Sequence, residues 1–169
     1  MQLNACNLHS YSTRQETILA GILHDVLEDS VPGHQVTYEM LVERFGWSVA
    51  EIVKDVSEPN KDLPWAEREE AALEHLKAME GPGLWVKAAD IISNVSELLD
   101  DYAREPEGQG DVVFERFNAS KADIIANYLA VMDVLIEKPL TPEGEEKTLV
   151  LDLKTLRADL HDLRLKSCN

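Results

Sequence analysis

The sequence predicts an all-α fold. Apolar residues recur at helical spacings of three and four, aromatic residues make up only 6% of the 169 residues, and runs of alternating β-branched residues are absent. Hydrophobic residues make up 44% and charged residues 28%, which is typical of a globular chain. The length suits one domain with a hydrophobic core of its own. We therefore expect a helical bundle.

The first half of the chain predicts four helices. The first ends before Val31-Pro32-Gly33, Thr37 caps the second, and Gly46 ends it. The predicted helices cover residues 12–29, 38–45, 48–56 and 65–79.

The second half predicts three longer helices. Two of them cover residues 84–102 and 111–137, and Pro139–Gly144 is predicted to be a linker. The last helix carries a leucine stripe at steps of four and three: Leu149, Leu153, Leu156, Leu160 and Leu163. We expect residues 1–138 to form the helical domain. Residues 139–169 then form the linker and an extra C-terminal amphipathic helix, which packs on the domain or on a partner subunit.

The charge of the chain restricts its partners. There are 32 acidic and 16 basic residues, so the formal net charge is −16. Such a chain repels nucleic acid and anionic membranes at long range, so neither is expected as a partner. A phosphorylated substrate would need a metal ion or a local group of cations.

The remaining signals favour the cytoplasm. Cys6 and Cys168 stand near opposite ends, with neither a metal-binding nor a disulfide spacing. No signal-peptide pattern is found near Met1, and apolar runs such as Ile18–Leu23 are too short to span a bilayer.

The first polar cluster is His24-Asp25-Val26-Leu27-Glu28-Asp29. On a helix, residues four apart share a face, so His24 and Glu28 are neighbours, as are Asp25 and Asp29. An imidazole beside a carboxylate suits manganese, iron, cobalt or zinc, and a further glutamate could orient or deprotonate an attacking water. The alternative is an exposed, charged helix end.

The second polar cluster is Asp90 with Asn94, one helical turn apart among apolar neighbours. A carboxylate in such surroundings needs a cation, a donor group or a metal as its partner. A salt-bridged surface aspartate is the alternative.

Five segments together resemble the RelA/SpoT-type hydrolase domains of the HD-domain metal phosphohydrolase family. Ala20–Ser30 is similar to "LLHDVxEDT", and residues 37–52 (TYEMLVERFGWSVAEI) are similar to "TxxxLxxxFGxxVAxIV". Asp62–Arg68 resembles "LPWxERK" of the small stand-alone members, and VKAADIISN (86–94) and FERFNASK (114–121) resemble "VKLADKLHN" and "WERFNGGK". The segments keep the family's order and spacing.

The resemblance implies an HD-domain helical bundle that binds one divalent metal, usually manganese. His24, Asp25 and Asp90 match three metal-ligand positions. Glu28 and Asp29 match the family positions that handle the attacking water. Lys61 and Asn94 match the positions that contact the nucleotide. The implied reaction removes phosphate or pyrophosphate from a nucleotide such as guanosine tetraphosphate.

The sequence departs from this pattern in two places. The family's first histidine ligand has no counterpart, because His9 lies fifteen residues before His24, or roughly 20 Å along a helix. In the second metal motif, family cations and a histidine are replaced by Ile91, Ser93 and Ser96. Other cations remain and are interpreted mainly as surface residues: Arg44, Lys54, Lys61, Arg68, Lys87 and Lys121. The chain is degenerate, or a further N-terminal helix supplies the histidine, or the ligand comes from elsewhere in the chain or a partner subunit.

Two hypotheses follow. The first is a metal-dependent nucleotide (pyro)phosphohydrolase, and the second is a non-catalytic regulatory or interaction module that retains the HD fold and, if degenerate, binds metal weakly or not at all. The C-terminal leucine stripe is also expected to cover the broad apolar face of the first helix. It would do so within one chain or across a homodimer.

Overall fold

The structure is a computed structural model that describes residues 15–28, 33–58, 63–140 and 147–166. Every regular element in these ranges is helical, so the predicted all-α class is confirmed. The elements are α1 (Gln15–Leu23), α2 (Tyr38–Phe45), α3 (Trp47–Val56), α4 (Trp65–Ala78), α5 (Pro82–Arg104), a 3-10 helix (Gly110–Arg116), α6 (Lys121–Glu137) and α7 (Lys147–Lys166).

Helix α5 is the centre of the bundle. It packs against α1, α3, α6, α7 and the 3-10 helix. One of its faces is buried through its whole length, and the buried residues include Leu84, Ala88, Ile91, Val95 and Leu98. Their spacing of three and four residues is that of a single helical stripe, which explains why one helix supports so many neighbours.

The turn between α2 and α3 forms as its sequence predicts. Thr37 precedes α2, and its side chain accepts a hydrogen bond from the backbone N–H of Met40 at 3.3 Å. Gly46 joins the two helices at a φ of +86°, a conformation that only glycine adopts without strain. The two helices consequently pack on each other.

The single helix predicted over residues 111–137 is wrong, because the segment breaks into the 3-10 helix and α6. Ser120 begins α6 by accepting a hydrogen bond from the backbone N–H of Asp123 at 3.2 Å. Gly110 begins the 3-10 helix against Tyr102, where an added Cβ would lie 2.6 Å from the aromatic ring. The sequence analysis missed this break because the apolar period continues across it.

Helix α7 packs on α5 and α6. Leu149, Leu153, Leu160 and Leu163 are buried there. The prediction that this stripe covers α1 within the chain is therefore wrong, and Leu19 and Ile22 of α1 are 37% and 43% exposed. The stripe instead completes the core beside α5, the helix that buries Leu84, Val95 and Leu98.

Parts of the sequence analysis lie outside the described residues. They include residues 12–14 of the first predicted helix, His9, both cysteines, and most of the Pro139–Gly144 linker. Within the described ranges, no helix combines the length and apolar character that crossing a bilayer requires.

Two substitutions in α7 test its packing. Leu153 is fully buried whereas Leu151 is 60% exposed, so the same deletion of side-chain atoms has different costs. We expect Leu153→Ala to lower the free energy of unfolding by about 2–5 kcal/mol, because it leaves a cavity. Leu151→Ala should change it by less than about 0.5 kcal/mol. Urea denaturation measures both, and equal losses would contradict the packing.

Candidate functional site

The first polar cluster lies directly after α1 rather than within it. The helix ends at Leu23, and residues 24–28 form tight turns in which Val26 N–H donates to Leu23 O at 3.0 Å. Glu28 N–H donates to Asp25 O at 2.9 Å in the same manner. The prediction of a helix to residue 29 is therefore wrong at its last turn. These three-residue hydrogen bonds replace the four-residue spacing of an α-helix and redirect the side chains.

His24 is held in a defined orientation. Its side chain is buried, and Nδ1 lies 2.9 Å from the carbonyl oxygen of Gly21, to which it donates. The other ring nitrogen, Nε2, lies 3.0 Å from Oδ1 of Asp25 and 3.4 Å from Oδ1 of Asp90. The structure thus brings together the three residues that the sequence predicts as metal ligands, at the junction of α1 and α5.

The charges around His24 favour its protonated form. Burial lowers the pKa of His24, but the hydrogen bonds and negative charges of Asp25 and Asp90 together act more strongly. They raise the pKa from 6.5 to about 10. A proton on Nε2 therefore compensates two carboxylates that would otherwise face each other across a poorly solvated space.

The same atoms are suitable donors for a divalent cation. A histidine that ligates a metal through Nε2 normally donates Nδ1–H to an oxygen, as His24 does to Gly21. Ligands about 2.1 Å from one ion lie about 3.0–3.4 Å from each other. The two contacts of Nε2 match this spacing. Within the described ranges, however, no three or more His, Cys, Asp and Glu side chains surround a common point as in a formed metal site. The two distances from Nε2 match the spacing of ligands around a cation, and binding there would displace the proton from Nε2.

Asp90 is fixed from two sides. Besides the contact with His24, its Oδ1 accepts a hydrogen bond from Nδ2 of Asn94 at 3.0 Å. Only 15% of the Asp90 side chain is exposed. Asn94, predicted as a substrate contact, therefore orients the candidate metal ligand and also lines the adjoining cleft.

Glu28 is connected to the cleft wall. Its Oε1 accepts a hydrogen bond from the backbone N–H of Glu58 at 2.8 Å, and Glu58 lines the cleft. Asp29 and Lys61, the other predicted catalytic and substrate-binding residues, lie outside the described residues.

A cleft of about 440 Å³ opens beside Asp90. Its walls come mainly from α4, α5 and α6 and include Trp65, Arg68, Glu69, Lys87, Asn94, Arg116, Phe117, Asn127 and Tyr128. Arg68 and Lys87 belong to the six cations that were interpreted mainly as surface residues, and both line this cleft. Periodicity identifies a polar helix face, but it does not show which part of that face is concave.

Tyr128 is a cleft residue that the sequence analysis missed. Burial, followed by the negative charge of Asp90, raises the pKa of Tyr128 to about 12. The phenol therefore stays uncharged and lines the cleft as a hydrogen-bond donor near Asp90.

Glu58 and Glu69 were missed as well, and both flank Arg68. Nε of Arg68 lies 3.4 Å from Oε2 of Glu58, and Nη2 of Arg68 lies 3.8 Å from Oε1 of Glu69. A signal for Glu69 was present in the sequence. The last position of the "LPWxERK" pattern is lysine, and residue 69 at that position is glutamate.

A family model described as "HD domain" matches residues 4–98, more than half of the chain. The chain therefore belongs to the HD-domain family. This match includes both segments that meet at His24 and Asp90.

Curated relatives resemble part of the chain. The guanosine-3′,5′-bis(diphosphate) 3′-pyrophosphohydrolase MESH1 of Danio rerio is 40% identical over 86 residues, which are 51% of this chain and 45% of the relative. The bifunctional (p)ppGpp synthase/hydrolase SpoT of Escherichia coli K12 is 39% identical over 75 residues, 44% of this chain and 10% of that protein. The chain thus spans less than half the length of these two relatives.

A solved structure supports the fold over almost the whole chain. A crystal structure of a protein from Listeria monocytogenes EGD-e matches with a TM-score of 0.78 and 21% identity. The match covers 94% of this chain and 96% of the Listeria chain, and it supports the fold alone.

The His24 cluster predicts how the stability of the metal-stripped protein depends on pH. The pKa of His24 is higher in the folded chain than its ordinary value of 6.5, so its stabilising contribution is complete below pH 6.5. That contribution is lost as the pH rises towards about 10. Urea denaturation in the presence of a chelator should show this decline. His24→Gln should flatten it, whereas substitution of exposed His34 by Gln should not.

Metal binding should depend on Asp90. We expect Asp90→Asn to weaken manganese binding by at least about tenfold, because it removes a negative ligand. Asp100→Asn is the matched control, since Asp100 lies on the same helix and its side chain is 71% exposed. Calorimetric titration measures both affinities, and equal effects in the two variants would refute the assignment.

Proposed function

We propose that this protein is a metal-dependent nucleotide phosphohydrolase that cleaves a phosphoric ester or pyrophosphate bond. The observation that carries the proposal is the meeting of His24, Asp25 and Asp90 at the edge of a cleft that also contains cations. The names of the curated relatives, which are hydrolases of guanosine bis(diphosphate), support a nucleotide substrate.

His24, Asp25 and Asp90 are the residues that would hold the metal, with manganese as the first choice and iron, cobalt or zinc as alternatives. A bound divalent ion supplies Lewis-acid polarisation of the phosphoryl oxygen and makes a water molecule more acidic. Fixed in advance by Gly21 and Asn94, the side chains of His24 and Asp90 need little rearrangement to present their ligand atoms.

Glu28 is the proposed general base. The hydrogen bond from Glu58 N–H fixes the orientation of the carboxylate at the wall of the cleft. From there Glu28 accepts a proton from the attacking water, and Asp29 is proposed to assist.

The cleft supplies substrate contacts. Lys87 precedes Asp90 by three residues on α5, so both lie on one helix face, and its ammonium group is suited to bind a phosphoryl oxygen. Tyr128 and Asn94 donate hydrogen bonds to the sugar or base, and Lys61 is proposed to bind phosphate.

A non-catalytic module is the alternative, and one observation favours it. Nε2 of His24 is in contact with both carboxylates that would have to bind the metal, so the cluster is complete with a proton alone. A protein of this kind would keep the HD fold for binding or regulation.

Elemental analysis separates the two functions. Purified protein should contain about one transition-metal ion per chain and should hydrolyse nucleotides after addition of manganese. The non-catalytic module would be supported if the purified protein contains no metal and does not bind added manganese. It would also have to leave guanosine bis(diphosphate) and nucleoside monophosphates unhydrolysed.

Two further predictions accompany the proposed function. A homodimer would cover exposed Leu19 and Ile22 on α1, and sedimentation velocity tests for it.

A cytoplasmic location agrees with the positions of the two cysteines in the sequence and is tested by cell fractionation.

Glu28→Gln should separate catalysis from metal binding. Glutamine keeps the oxygen that accepts from Glu58 N–H but cannot act as a base. We expect manganese affinity to be retained while kcat falls by about 10²- to 10⁴-fold. Glu16→Gln in α1 is the control, since Glu16 is exposed. Unchanged turnover in Glu28→Gln would contradict the assigned role.

A further inference from the structure

The charges of the described residues that line the cleft are balanced. Among the described residues, its lining includes three carboxylates, those of Glu58, Glu69 and Asp90. It also includes the cations Arg68, Lys87 and Arg116. A site for a highly charged anion would be expected to have an excess of cations, so the carboxylates must restrict what binds.

Arg68 is held between two of these carboxylates. Glu58 and Glu69 approach its guanidinium at 3.4 and 3.8 Å, and their side chains are only 27% and 21% exposed. Because this group is poorly exposed to solvent, its charges are weakly screened. A phosphate that approaches Arg68 therefore meets two negative charges as well.

Glu69 is held in place on its other side. Its Oε2 accepts a hydrogen bond from Nδ2 of Asn127 at 2.7 Å. Burial, followed by repulsion from the negative charge of Glu58, raises the pKa of Glu69. A further negative charge at this position would increase that repulsion.

The other two cations differ from each other. Arg116 donates to Oδ2 of Asp101 at 3.0 Å and lies over the ring of Phe117. Lys87 makes no hydrogen bond or salt bridge with another residue of the described ranges, although its charge acts on Glu69, and it lies on the same face of α5 as Asp90. Among the cleft cations that the structure describes, Lys87 is thus the one available for a phosphoryl group.

We propose that Glu58 and Glu69 determine substrate specificity, making the cleft select a nucleotide with a single phosphate group over one with two diphosphate groups. The inference rests on the proposed function and narrows its substrate class. It also separates this chain from the relatives, whose names specify guanosine-3′,5′-bis(diphosphate).

Charge matching supports this selectivity. One phosphate monoester carries about 1.5–2 negative charges at neutral pH, which Lys87 and a divalent ion can offset. Two diphosphate groups carry several more, and Arg68 is already paired. Trp65 and Phe117 line the same cleft and supply apolar surface against which an uncharged base can pack.

Binding of two guanine nucleotides tests the proposal. The probes are guanosine 5′-monophosphate and guanosine-3′,5′-bis(diphosphate), measured by calorimetry on the full chain with excess manganese. All variants carry Glu28→Gln to suppress turnover. We expect the monophosphate to bind at least about tenfold more tightly.

Glu69→Lys should reduce this preference by about tenfold or more, because it reverses a weakly screened charge beside Arg68. Glu69→Gln, which keeps an acceptor for Asn127, should reduce it in the same direction by less. Glu70→Lys is the matched control, since Glu70 is exposed, lies on the same helix and undergoes the same change in charge. It should leave the ratio of the two affinities within about twofold.

Several results would overturn the inference: tighter binding of the bis(diphosphate), equal shifts in Glu69→Lys and Glu70→Lys, or no binding of either nucleotide. Hydrolysis by the wild-type protein is measured separately. If the monophosphate is preferred but nothing is hydrolysed, the proposed function fails and the specificity inference stands. If nucleotides are hydrolysed but the bis(diphosphate) is preferred, the proposed function stands and the specificity inference fails.

Discussion

Burial of one face of α5 is the constraint on which both the fold and the candidate site depend. Five other elements pack on this helix, so its rotation about its own axis is fixed by the core. Because a helix has 3.6 residues per turn, fixing Ala88, Ile91 and Val95 inward also fixes the directions of Lys87, Asp90 and Asn94. The polar side chains are therefore oriented by apolar packing.

The candidate site shows how a very acidic protein retains cations in a cleft. The chain has a formal net charge of −16, yet Arg68 and Arg116 line the cleft because nearby carboxylates hold them there. The same pairing limits their use for ligand binding. Long-range attraction therefore contributes little to substrate capture, and local contacts within the cleft must supply affinity.

Much of the fold could be predicted from the sequence, and part of the site could be. Helical periodicity and the caps at Thr37 and Gly46 predicted most of the helix bounds. The resemblance assigned His24 and Asp90 to one site, and the two side chains are in contact. Other features depend on contacts between distant residues. Examples are Glu28 with Glu58, Asn127 with Glu69, and the packing of α7 on α5. A local sequence pattern contains no information on such pairs. The resemblance identified candidate metal ligands, but it did not identify Glu58 and Glu69, which pair with Arg68.

The end of α1 at Leu23 has a consequence for folding. His24 and Asp25 belong to a turn, whereas Asp90 belongs to the most heavily packed helix of the bundle. An ion shared by all three would act as a reversible cross-link between distant positions of the folded chain, and its binding free energy would add to the free energy of unfolding. Resistance to unfolding and to proteolysis would then follow the concentration of free metal in the surroundings, so the turnover of the protein itself would respond to metal supply.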